Sequence, residues 1–129
     1  MCSRTTEVRS TEVRATEVRA RAQRAFEATL ARLPGRLFVS FDIDAVRGAD
    51  CPGVSCPAGV GLAAEDACRI CYAAGADPRV DLVDISELNP AVEEYRSPRL
   101  AVLMFYYLLL GLAVRRRRAA AEGGGGAHS

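Results

Sequence analysis

Apolar residues at Ala22, Phe26, Leu30 and Leu33 recur at i, i+4, i+8 and i+11, the spacing of one helical face. The pattern predicts a helix over 21–33, stopped by Pro34-Gly35. It then changes period. Leu37-Phe38-Val39-Ser40-Phe41 reads as a strand that runs into Asp42-Ile43-Asp44-Ala45. Residues 47–61 carry Gly48, Pro52-Gly53, Pro57, Gly59 and Gly61, which predicts a long loop. Helical spacing returns over 63–74, with Ala67, Ile70, Cys71 and Ala74 on one face and Gly75 at the end. Ala63 stands where a capping Ser or Thr is favoured, so this helix is expected to start weakly. Val80-Asp81-Leu82-Val83-Asp84-Ile85-Ser86 predicts a second strand. Strand, helix, strand in succession implies a parallel pair joined by a crossover.

The last pattern is the apolar run Leu100–Val114, followed by Arg115–Arg118. It is short for a membrane span, which takes about 20 residues. Tyr106 and Tyr107 lie in its middle rather than at a rim. A buried closing helix over 98–114 is the preferred reading, with the arginines favoured at its C-terminal end. Both ends of the chain lack such patterns. The unit Thr-Glu-Val-Arg begins at residues 6, 11 and 16, a spacing that builds no helical stripe, so 1–20 is read as a low-complexity extension. Residues 119–129 are Ala- and Gly-rich and are expected to be disordered. One domain over 21–118 lies between them.

Asp42 and Asp44 supply the first candidate chemistry. Side chains alternate along a strand, so the two carboxylates are expected to share a face. Like charges so placed want a cation, and oxygen ligands suit Mn, Mg or Ca. Composition then narrows the field. The 17 basic residues are all arginine, so lysine Schiff-base chemistry and a P-loop are excluded. The one histidine, His128, lies in the Gly-rich tail, so the folded region cannot build a Ser-His-Asp triad. A net charge of +1 gives no field for nucleic acid. The 5 cysteines are odd in number and the N-terminus lacks an apolar signal core, which points to a cytoplasmic protein without a disulfide framework. Cys51, Cys56, Cys68 and Cys71 have zinc-like spacing, but buried thiols are the preferred reading.

Two blocks carry a family resemblance. Ser40-Phe41-Asp42-Ile43-Asp44-Ala45-Val46, continued by Asp50-Cys51-Pro52-Gly53-Val54-Ser55-Cys56-Pro57 and Gly61-Leu62, resembles a metal-binding signature of the arginase/agmatinase/formiminoglutamase (ureohydrolase) family. The Pro-Gly-Val-Ser form is similar to formiminoglutamase more than to arginase. Asp81 to Pro90, with Glu87-Leu88-Asn89-Pro90, resembles the family's Glu-x-Asn-Pro strand end. The resemblance runs from about Gln23 to about Arg115 and corresponds to the C-terminal part of a family member.

What the resemblance implies is specific. The fold would be α/β, a C-terminal fragment of the three-layer α/β/α parallel-sheet ureohydrolase fold. Asp42 and Asp44 would be metal ligands of a binuclear manganese site. Glu87 would bind a cationic amidine substrate. All three would meet at the C-terminal edge of the sheet. The reaction would be hydrolysis of a linear amidine, N-formimidoyl-glutamate and water giving glutamate and formamide. A homo-oligomer, as in the family, is a further implication. The chain departs from the family in lacking a Gly-Gly-x-His and an Asp-x-His-x-Asp segment. It is therefore expected to be inactive alone. The alternatives are a non-catalytic fragment that docks on a full-length relative, or a tail-anchored protein using residues 100–118.

Overall fold

A computed structural model describes residues 21–124; the Thr-Glu-Val-Arg repeats and His128 lie outside the described residues. The elements run α1 (Arg21–Arg32), β1 (Leu37–Asp42), a 3-10 turn (Ile43–Ala45), α2 (Ala64–Ala76), β2 (Val80–Ser86) and α3 (Arg96–Gly124). β1 and β2 pair in parallel, with Phe38 beside Leu82 and Asp42 beside Ser86. α2 is the crossover between them, as the alternating periods predict.

Alternation along β1 sorts its side chains by face. Leu37, Val39 and Phe41 turn toward the helices, while Phe38, Ser40 and Asp42 are exposed. Phe41 joins Ile43, Val46, Val54, Cys51, Ile70, Cys71, Leu100 and Met104 in the core. Each large apolar side chain buried there contributes about 1.5–3 kcal/mol. The opposite sheet face has no such cover: Phe38 and Leu82, partners in register, are each 60% exposed.

α2 and α3 pack backbone to backbone. A Cβ on Gly111 would overlap the Tyr72 carbonyl oxygen, and one on Gly75 would overlap the Leu108 carbonyl oxygen. Gly75 therefore does not end α2, which continues to Ala76; it lets α3 approach. Two expectations about the C-terminal region are corrected. The helix starts at Arg96 and continues to Gly124, through part of the stretch expected to be disordered. Nor is it buried all round. Leu100, Met104 and Gly111 are buried, while Val102, Phe105, Tyr106 and Leu109 face outward. The 29-residue helix has a mean hydropathy of 1.6 over its most apolar stretch, long and apolar enough to cross a membrane. On its inner side Leu100, Met104 and Gly111 are buried within this fold. Arg115 Nη1 donates to the Val80 carbonyl at 2.9 Å, which pins the basic end to the start of β2.

Arg79 closes the same end of the sheet. Its guanidinium donates to the Leu30 carbonyl at 2.8 Å and to the Leu33 carbonyl, just past α1, at 2.7 Å. Asp77 accepts from the same guanidinium at 2.7 Å, and Arg79 holds its carboxyl below the usual range.

Candidate functional site

β1 delivers Asp42 to the C-terminal edge of the sheet and stops there. Asp42 has extended backbone at φ −77 and ψ 114, and its Oδ1 accepts from the Asp44 N–H at 2.9 Å. That bond caps the 3-10 turn Ile43–Ala45, whose Ile43 is fully buried. The expectation that strand alternation puts Asp42 and Asp44 on one face is thus corrected. Asp44 lies in the turn, where a period near three applies. It is half-buried, and its Oδ1 has no hydrogen-bond partner. A buried carboxylate oxygen left alone is costly, so something is wanted opposite it.

β2 ends at Ser86, the register partner of Asp42, and Glu87 follows at once. Both candidate segments therefore leave the sheet at its C-terminal edge, as expected. Glu87 is exposed and has φ 68, the one non-glycine in the left-handed region among the described residues. That backbone costs about 1–2 kcal/mol. It persists because the two residues that follow are tied down. Leu88 bridges Val54 in antiparallel fashion, and the Asn89 N–H donates to the Gly53 carbonyl at 2.8 Å.

The long loop after β1 is more ordered than its Gly and Pro content suggests. Val46 bridges Leu62, and Arg47 N donates to the Leu62 carbonyl at 2.9 Å. Gly61 has to be glycine: a Cβ would sit 2.5 Å from the Ala45 carbonyl oxygen. Within this loop Asp50 Oδ2 accepts from Arg47 Nε at 2.8 Å and from the Ala64 N–H at 2.9 Å. Arg47 first, and Ala64 next, hold the Asp50 carboxyl below its usual range. Asp66 Oδ2 accepts from the Ala63 N–H at 3.2 Å. The start of α2, which Ala63 cannot cap, is thus capped by Asp50 from the loop.

A second carboxylate missed from the sequence is Glu93. Its Oε1 accepts from the Arg96 N–H at 2.6 Å and the Tyr95 N–H at 2.8 Å. Its Oε2 accepts from the Ser97 N–H at 2.7 Å and the Ser97 hydroxyl at 2.8 Å. Fully buried Ser97 in turn accepts from the Gly53 N–H at 2.7 Å. The relay Glu93, Ser97, Gly53 ties the start of α3 to the loop that also holds Leu88 and Asn89. The signal was present: an acidic residue ahead of a helix with Pro98 in its first turn.

These bonds hold the Glu93 carboxyl far below its ordinary 4.5, at about 2, the Arg96 and Ser97 amides contributing most. A depressed folded-state value means stability that is full above pH 4.5 and is lost as pH falls through about 2. Acid titration of the wild type should show this extra loss between those limits. Glu93→Gln should flatten that part of the curve, because a neutral amide does not titrate. Parallel curves for the two proteins, followed by circular dichroism, would contradict the assignment.

Among the described residues the cysteines form no metal centre. Cys51, Cys68 and Cys71 are buried in the core while Cys56 is exposed. Burial pushes the Cys71 thiol up to about 12, so it is a neutral packing group. More generally, no group of three His, Cys, Asp or Glu side chains among the described residues could hold a metal ion. Asp44 Oδ1 is an unspent donor beside Asp42, but two carboxylates leave a divalent ion largely hydrated. The described residues do not make a binuclear manganese site by themselves.

A family model described as the arginase family matches residues 3–111. Formimidoylglutamase of Rhodococcus opacus is 36% identical over 66 residues, covering 50% of this chain and 21% of that protein. Formimidoylglutamase of Aromatoleum aromaticum is 39% identical over 69 residues, covering 50% and 19%. Among solved structures, Trypanosoma cruzi formiminoglutamase with Mn2+ superposes with a TM-score of 0.73 at 51% identity, over 78% of this chain and 35% of that chain. Entamoeba histolytica arginase in complex with L-ornithine gives a TM-score of 0.66 at 25% identity, over 70% and 32%. The described elements are a fragment of the arginase-like fold, and the chain spans about a fifth of the length of those curated relatives.

Proposed function

The chain belongs to the arginase family, and we propose that it supplies the carboxylate edge of a manganese-dependent, formiminoglutamase-like hydrolase and is inactive alone. The observation that carries this reading is the shared sheet edge. Asp42 and Glu87 leave adjacent parallel strands together, and Asp44 follows with a buried oxygen unspent. The strain accepted at Glu87 supports a role for its side chain there.

In this reading Asp42 and Asp44 are ligands toward manganese, and Glu87 pairs with the amidinium of N-formimidoyl-glutamate. Carboxylate and amidinium form charge-assisted hydrogen bonds that fix the planar group in one orientation. The resemblance to a formiminoglutamase holding Mn2+ supports the choice of metal and substrate. A cytoplasmic location belongs to the same reading, with thiols at Cys51, Cys56, Cys68 and Cys71 free.

The test uses the pure full chain with Mn2+ and N-formimidoyl-glutamate. Formamide release is expected to match the protein-free blank. Mn2+ binding is expected to be weak, about millimolar, and to disappear in Asp42→Asn/Asp44→Asn. Metal-dependent turnover would refute inactivity. Mn2+ binding unchanged by the double substitution would refute the ligand roles.

A further inference from the structure

We draw no further inference here: the strongest candidate, the apolar groove of about 780 Å³ at Tyr95, Leu103 and Tyr106 on the outward side of α3, carries nothing because nothing in the structure shows what covers it.

Discussion

Gly111→Val should destabilise this fold by about 3 kcal/mol or more. In an ordinary helix, replacing glycine by a residue with a side chain gains stability, about 0.5–1 kcal/mol for alanine. Here the sign reverses. A Cβ at 111 would overlap the Tyr72 carbonyl oxygen and stand 2.9 Å from the Ala76 amide nitrogen. Both obstacles are backbone of α2, so no rotamer change relieves them. Gly75 meets α3 in the same way from the other side, so the helices cannot part at one glycine without losing the other contact. Overpacking in a core costs about 1–3 kcal/mol and more where backbone must move. Valine at 111 should stand at or above the top of that range, against a total of about 5–15 kcal/mol for a typical domain. Separation of the helices would also uncover Leu100 and Met104, which are buried beside the contact. Gly123→Ala is the control, because a Cβ there meets nothing within 4 Å. Urea midpoints measure both. An unchanged midpoint in Gly111→Val would show that α2 and α3 do not pack as described.

Ser97→Ala should cost about 2 kcal/mol, although it removes a single oxygen. The hydroxyl accepts from the buried Gly53 N–H and donates to Glu93 Oε2. Alanine leaves the amide with no partner, and a buried unsatisfied donor costs about 1–3 kcal/mol. Water cannot easily take its place, since Ser97 is fully enclosed. The damage should reach the candidate site. Gly53 also accepts from the Asn89 N–H, so the left-handed backbone at Glu87 loses part of what holds it. Amide hydrogen exchange at Gly53 and Asn89 should rise in Ser97→Ala. Ser55→Ala, at an exposed position in the same loop, should change neither stability nor exchange. If the two variants behave alike, the relay is not what anchors the loop.

Several particulars are legible in the sequence itself. The switch of apolar spacing at Pro34-Gly35 marks the passage from α1 to β1, because helix and strand impose different periods on the same need for burial. The pairing of Asp42-Ile43-Asp44 with Glu87-Leu88-Asn89-Pro90 pointed to one family, and the arginase-family match over residues 3–111 agrees. Other features were not readable. Asp50 caps α2 from a position well upstream in the chain, and a contact between residues 50 and 64 leaves no periodic trace. Gly75 reads locally as a stop signal, yet its role is set by α3 passing over it. That Asp44 leaves the face of Asp42 was not readable, because a capped 3-10 turn keeps the apolar–acidic alternation for two residues beyond β1.

The chain's own residues determined the order of elements, the parallel crossover and the carboxylates offered at one edge, since spacing and residue chemistry act locally. Only the tertiary structure decided that α3 is buried on one side alone, that Asp44 turns off the strand, and that Glu93 and Ser97 lock the loop behind Glu87. Those outcomes depend on which distant groups meet, and burial and hydrogen bonding between them are properties of the packed molecule rather than of any segment.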